Sequence, residues 1–269
     1  MPELDTLLLQ VEILWPALLA GALVVATHVP LGREVLLRGI IFLDLAIAQI
    51  AGLGLIAANT LGVDDHARFA PRLIAVLTAI AASLLLYRLR RLDVKAQEAL
   101  IGIAFVLAAT GSILLLASDP HGGERLKELL VGQILWVSPA QLSWVALVYA
   151  AVLFAWFRYR DRRDGWAFYP LFAITITVST QLVGVYLVFA SLIIPALAVR
   201  HLSGRRALGW GYGIGIAAYL LGLVVSAWRD WPSGASVAWC LACVGLAGFC
   251  ASSLFATTDS RHARRRGVA

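Results

Sequence analysis

The sequence predicts an all-α, polytopic membrane protein in which residues 1–269 form a single transmembrane domain. Hydrophobic residues make up 61% of the chain, charged residues only 14%, and the mean hydropathy is +0.84. A soluble core and its surface require less apolar material than this. The apolar residues are also grouped into long segments bounded by charges, glycine or proline, which is the pattern of membrane-spanning helices.

Nine such segments follow one another, and no soluble domain interrupts them. The predicted spans are residues 11–31, 36–60, 70–89, 99–117, 140–158, 166–181, 182–200, 207–228 and 235–256. Only Thr-Gln-Leu-Val-Gly at 180–184 separates the sixth segment from the seventh, so this pair could also form one long helix or a helix with a re-entrant partner. Residues 121–138 have charges before an apolar half, which indicates a short amphipathic helix on the outer side.

Basic residues predict the orientation of the chain, because positively charged loops resist translocation and stay in the cytoplasm. Alternate connections divide the 22 Lys and Arg residues into sets of 17 and 5. The larger set includes the C-terminal arginines, so the N-terminus is expected outside and the C-terminus inside, as an odd number of spans requires. The acidic start MPELD lacks the basic region of a secretory signal, and the first segment is therefore expected to be a span.

Several classes of function are not expected from this sequence. The net charge is +6, but no basic domain with interleaved aromatic residues lies outside the apolar segments, so nucleic acid is not an expected partner. Three cysteines cannot form a disulfide framework or a four-ligand zinc knuckle. The apolar segments contain no protease Ser–His pair, Asp pair or HExxH motif, and the chain has no GxxxxGK[ST] phosphate loop. We therefore expect neither an enzyme nor a permanently bound cofactor.

Two polar residues, Asp44 and Gln49, lie in the second apolar segment and are candidates for a cation path. A carboxylate in a span is costly to insert and usually faces a polar cavity or a partner. Asp44 could line such a path, pair with an arginine such as Arg38, or be protonated and hydrogen-bonded to a neighbouring helix. Gln49 could contact the path or join helices through its amide. Five residues separate the two by about 140° around a helix, so a straight helix cannot present both to one ion.

Four stretches, in family order, resemble the permease subunit of the zinc, manganese and iron ABC importers. They are LLRGIIFLDLAIAQIAGLG (36–54), ALIGIAFVLAATGSILLLAS with LKELLVGQILWVSP (99–118 and 126–139), LVGVYLVFASLIIPALAVRHL (182–202) and WRDWPSGASVAW (228–239). The resemblance implies a homodimeric, multi-pass permease of the bacterial inner membrane that moves a divalent transition metal as its substrate. It also implies a periplasmic or extracellular metal-binding protein and a cytoplasmic ABC ATPase on a separate chain.

The second span departs from the family pattern at the positions that implied metal ligands occupy. Leu45 stands where the family has Asp, Ala48 where it has Ser, and Gln49 where it has His. Asp44 is therefore the only formal negative charge left in this segment. We expect Asp44 and Gln49 to be the metal-path residues of this chain.

A second departure lies in RYRDRRDGW (158–166), which is shorter than the family connection that docks on the ATPase. We expect Arg160, Arg162, Arg163 and Asp164 to form the remaining contact with the ATPase. The two departures leave a second hypothesis open, in which the chain is a family descendant uncoupled from ATP that acts as a passive channel, secondary transporter or membrane sensor.

Overall fold

The computed structural model is helical throughout the residues that it describes, which are 2–62, 70–159 and 166–266 for the backbone and 14–62, 70–89, 91–159 and 166–252 for the side chains. No strand occurs in these residues, and the predicted all-α class is confirmed. The helices are α1 (Pro2–Arg38), α2 (Leu43–Thr60), α3 (Ala70–Arg88), α4 (Val94–Leu116), α5 (Gly122–Val131), α6 (Pro139–Tyr159), α7 (Phe168–Val183), α8 (Val185–Ala198), α9 (Gly204–Arg229) and α10 (Ser233–Arg266).

Seven of the described helices are long and apolar enough to cross a membrane: α1, α2, α3, α4, α6, α9 and α10. The chain is thus a multi-pass membrane protein. Helices α7 and α8 are apolar but have only 16 and 14 residues. At 1.5 Å per residue they are about 24 and 21 Å long, less than the ~30 Å of a typical hydrocarbon core.

Each predicted apolar segment corresponds to one of these helices, and among the connections the bounds differ most at the first one. Helix α1 continues to Arg38, beyond the expected end at residue 31, and α2 begins at Leu43 rather than at residue 36. The break follows from Gly39, whose φ of 70° lies in the left-handed region and cannot continue a right-handed helix.

Helices α7 and α8 form an antiparallel hairpin, and only Gly184 separates them. The Arg38 guanidinium at the end of α1 lies 4.6 Å from the ring centroid of Phe168, at the start of α7. Gly32, also near the end of α1, packs against Ala196 near the end of α8. Since the start of α7 and the end of α8 both lie beside the end of α1, the two helices run in opposite directions, and the alternative of one long helix is excluded.

The hairpin lies inside the bundle. Most residues of α7 and α8 are buried; α7 packs mainly against α2 and α3, and α8 against α1 and α10. Hydroxyl pairs join the hairpin to two more helices: Tyr149 of α6 bonds Ser179, and Tyr219 of α9 lies 2.9 Å from Ser191. Because protein rather than lipid surrounds the hairpin, its helices and its turn need not reach both membrane surfaces.

The turn of the hairpin touches the end of α5 through two glycines. Gly132 has φ 71° and ψ 175°, and Gly184 has φ 82° and ψ 160°, conformations that are essentially restricted to glycine. A methyl group on Gly132 would collide with the backbone of Val183, and one on Gly184 would collide with the backbone of Val131 and Gly132. The two backbones therefore approach as closely as only glycine allows.

We expect Gly184→Ala to lower the free energy of unfolding by about 2 kcal/mol or more, because backbone strain of about 1–3 kcal/mol adds to a collision that neither segment can relieve. The melting temperature of the detergent-purified protein measures this effect. The matched control is Gly102→Ala in α4, where an added methyl meets nothing within 4 Å and should be neutral or slightly stabilising. Equal melting temperatures for the two variants would contradict the close contact.

Candidate functional site

A cavity of ≈ 1030 Å³ opens at one end of the bundle. The ends of α2, α4 and α7, the starts of α3 and α6, helix α5 and the segment after it form its walls. These parts are distant in sequence and meet because α2, α4 and α7 all run toward the same end. The polar residues that line the cavity are Asn59, Arg72, Arg125, Glu128, Gln133, Gln141, Thr177, Thr180 and Gln181.

Helix α5 packs across one side of this cavity and is the amphipathic helix expected within 121–138. Its Leu129 contacts Gly52 of α2, where an added methyl would lie 2.7 Å from the leucine side chain. Its Glu128 accepts a hydrogen bond from the side chain of Gln133, with Nε2 and Oε1 2.8 Å apart. Leu129 thus joins α5 to α2, while Arg125 and Glu128 contribute polar groups to the cavity wall.

The cavity lining includes nine polar residues, of which six carry neutral amide or hydroxyl groups. Its charged members are two arginines and Glu128. One of the arginines, Arg125, pairs with Asp119 at an Nη1–Oδ2 distance of 3.1 Å. Within the described ranges, no three His, Cys, Asp or Glu side chains come together as a metal-binding group. This part of the protein therefore lacks the preformed ligand set with which proteins hold a dehydrated transition metal.

Asp44 lies in the first turn of α2 and is almost completely buried, with 1% of its surface exposed. Its carboxylate has no hydrogen-bonding partner on a neighbouring helix among the residues whose side chains are described. Arg38, the partner considered from the sequence, instead bonds Glu34 four residues before it, at 2.8 Å. The positive end of the α2 dipole favours a carboxylate at this position.

The cavity ends above Asp44. Ala51 lines the cavity and lies seven residues after Asp44, so both point to the same face of α2. Asp44 is about 10 Å farther along the helix axis, toward the closed end. Gln49 is also buried and lies on a different face, as its spacing from Asp44 predicts. Neither Asp44 nor Gln49 belongs to the cavity lining, and their contact with a transported ion remains a prediction.

Sequence reasoning missed Thr177, which borders the cavity on α7. The hydroxyls of Thr175, Ser179 and Thr180 each donate to the backbone carbonyl four residues earlier, at 2.7–2.8 Å. The Thr177 hydroxyl is fully buried and has no partner within the part of the chain that the structure describes. A hydroxyl in a helix normally bonds a carbonyl of its own helix, so the sequence alone does not show that the Thr177 hydroxyl lacks a partner. The available signal was the polar face formed by Thr177, Thr180 and Gln181, at positions i, i+3 and i+4.

The residues assigned to ATPase coupling, Arg160, Arg162, Arg163 and Asp164, lie outside the described residues. Their assignment stays a prediction.

Comparison with known proteins gives the family of the chain. The sequence model of the ABC 3 transport family matches residues 10–162 and 165–252, which is most of the chain. The fold is similar to that of a chain in the solved structure described as PsaBC from Streptococcus pneumoniae in complex with Fab, with a TM-score of 0.72 and 20% sequence identity over 88% of this chain and 91% of that chain. The resemblance to permeases of metal ABC importers is thereby confirmed. The chain belongs to the ABC 3 transport family.

Proposed function

We propose that this chain is the permease subunit of an ABC importer that moves zinc, manganese or iron across the bacterial inner membrane. Family membership supports the class of transporter. The observation that carries the path is the polar cavity, which opens at one end of the bundle and stops above the buried carboxylate of Asp44 on the same face of α2. In this proposal the cavity is the entrance and Asp44 lies on the route beyond it.

The proposed role of Asp44 follows from the needs of a divalent ion in a passage of low dielectric. Such an ion requires anionic or strongly dipolar oxygen and nitrogen around it as it loses water. The second span has lost the family's Asp and His to Leu45 and Gln49, and Asp44 supplies the negative charge that would otherwise be missing. Gln49 offers an amide, which is a weaker ligand. Because it lies on a different face of α2 from Asp44, it would reach the path only through a local twist of the helix.

The proposal includes partners that complete the transporter. The chain has no phosphate-binding loop, so a cytoplasmic ATPase on a separate chain supplies the energy. A metal-binding protein outside the membrane delivers the ion to the open end of the cavity, and a second copy of the permease forms a homodimer. The proposal counts α7 and α8 as two of nine spans, so that the termini lie on opposite sides of the membrane, and the excess of Lys and Arg in alternate connections favours an outer N-terminus and a cytoplasmic C-terminus.

A second candidate function is a family descendant that no longer couples to ATP and acts as a passive channel, secondary transporter or membrane sensor. It is favoured by the short 158–166 connection and by the lack of a metal-ligand cluster among the described residues. Uptake that continues without ATP hydrolysis would distinguish it from the importer.

We expect Asp44→Asn to reduce metal uptake by about tenfold or more, the usual effect of weakening a metal site, while the amount of protein in the membrane stays normal. Asparagine keeps the shape and hydrogen-bonding capacity of the side chain and removes its charge. Uptake of radioactive manganese or zinc by cells that express the complete transporter measures the change. Glu98→Gln, a carboxylate at the start of α4 outside the cavity, is the control and should transport normally. Normal uptake by Asp44→Asn would exclude the carboxylate as a required ligand, whereas loss of the protein itself would indicate a structural role.

The orientation is tested with single cysteines in a variant from which Cys240, Cys243 and Cys250 have been removed. A membrane-impermeant maleimide added to spheroplasts should label Asp65→Cys and reach Arg163→Cys only after lysis, because residue 163 lies in a strongly basic connection. The opposite pattern of labelling would reverse the proposed topology.

The ATPase contact is tested by reversing two charges, Arg162→Glu with Arg163→Glu. If these residues dock on the ATPase, we expect the ATPase to be lost on co-purification and uptake to fall with it. Reversal of Arg205 and Arg206, which lie in the first turn of α9 beside another basic connection, is the matched control. Co-purification and uptake that both remain unchanged in the first variant would place the contact elsewhere.

A further inference from the structure

An aromatic cluster joins three helices at the end of the bundle opposite the cavity. Its members are Tyr87 of α3, Trp156 of α6, and Phe168, Tyr169 and Phe172 of α7. The centroid of the Phe168 ring lies 5.8 Å from that of Trp156, 5.5 Å from that of Tyr169 and 5.1 Å from that of Phe172. The rings of Tyr87 and Tyr169 meet edge to face at 5.1 Å. Ring contacts at these distances add to the stabilisation by burial, so the ends of α3 and α6 are firmly attached to the start of α7.

Arg38, the last residue of α1, attaches a fourth helix to the aromatic cluster. Its guanidinium lies 4.6 Å from the ring centroid of Phe168 and 6.0 Å from that of Tyr169, distances at which a ring attracts a cation. Both Nε and Nη2 of Arg38 lie 2.8 Å from Oε1 of Glu34, one turn earlier in α1. A planar guanidinium can bond a carboxylate and contact a ring at the same time. Glu34 therefore orients Arg38 against the start of α7.

The aromatic cluster also contains both ends of the 158–166 connection. Trp156 lies three residues before the end of α6 at Tyr159, and Phe168 is the first residue of α7. Both side chains are buried. A force on the connection therefore reaches the bundle through these two residues and the rings that surround them.

Helix α7 runs without a break from the aromatic cluster to the cavity. The residues Thr177, Thr180 and Gln181 line the cavity and lie about 14–20 Å along α7 from Phe168. At the far end of α7, Gly184 is pressed against Gly132, the residue that follows α5. Closely packed helices move by sliding as units rather than by bending. A shift at the start of α7 would therefore displace one wall of the cavity and the end of α5.

We propose that the aromatic cluster is the contact through which movement of the ATPase reaches the cavity wall, and that Arg38 is the positioning residue that holds α7 against α1 during this movement. The inference rests on the proposed function and adds to it the route from ATP hydrolysis to the cavity. Helix α1 packs against α8 and α9, so Arg38 links the start of α7 to a part of the bundle outside the connection. Without this link, hydrolysis would continue but would move the cavity wall less effectively.

The test uses the complete transporter, with its ATPase and its delivering protein, in liposomes, and measures Mn²⁺ or Zn²⁺ taken up per ATP hydrolysed. For Arg38→Gln we expect this ratio to fall about fivefold, a usual size for changes in coupling between sites, while ATP hydrolysis stays within about twofold of normal. The ATPase should still co-purify with the variant. Arg38→Lys should give an intermediate ratio, because lysine keeps the charge but lacks the planar group that lies on a ring.

Two variants are the matched controls, and we expect each to keep a normal ratio. Arg200→Gln removes another arginine that lies on a ring, 5.1 Å from the centroid of Phe249, and it follows α8 at the same end of the bundle. Glu34→Gln weakens the ion pair of Arg38 but leaves its guanidinium beside Phe168.

The ratio and the stability together decide between coupling and a structural role. An unchanged ratio for Arg38→Gln, or an equal fall for Arg200→Gln, would overturn the role of Arg38. Loss of the co-purified ATPase, or a clear drop in melting temperature with hydrolysis and uptake falling in parallel, would show a structural role and also overturn it. Uptake by the unaltered transporter that does not depend on ATP would instead refute the proposed function, and the inference would fall with it.

Discussion

The close contact between Gly132 and Gly184 is the constraint on which the rest of the site depends. Backbone that leaves a helix within a membrane must be enclosed by protein and must keep its hydrogen bonds. Both turns meet this condition, because Gly132 donates to the carbonyl of Glu128 at 2.8 Å and Gly184 to that of Thr180 at 2.9 Å. With the two turns pressed together, α5 is held against the hairpin, and the space between α5, α2 and α7 becomes the cavity.

The buried hairpin also explains why some helices are exposed on the outside of the bundle and others are enclosed by protein. Helices α3, α4 and α6 leave most of their apolar surface exposed on the outside of the bundle, whereas α1, α2, α7 and α8 are largely enclosed. Lipid tails are as apolar as leucine, so both kinds of helix are strongly apolar. The inner helices are distinguished by small residues and hydroxyls, as in the bond between Ser191 and Tyr219 and in the contact of Gly21 with the Tyr219 ring.

The difference between lipid-facing and protein-facing helices determines how far sequence reasoning could go. Hydropathy predicted the helical class and a helix within each apolar segment, because insertion into lipid acts on each segment separately. The cavity could not be predicted, since Asn59, Gln133 and Gln181 approach each other only after packing. Asp44 could be singled out from the sequence because a charge in a span is conspicuous, and its place on a metal path stays a prediction. Its possible ion pair with Arg38 was not observed, because Glu34 is a closer partner on the same helix face.

Neither the cavity lining nor the altered motif of the second span offers the ligands that would select one metal, and this bears on the role of the proposed delivering protein. Zinc, manganese and iron are distinguished in proteins by ligand type and geometry, and neutral amide and hydroxyl oxygens such as those in the lining distinguish them poorly. With Leu45 and Gln49 in place of the family's acid and imidazole, the path as proposed retains the charge of Asp44 but little basis for choosing one metal over another. Under the proposed function, selection would occur before the ion enters, in the protein proposed to deliver it to the open end of the cavity.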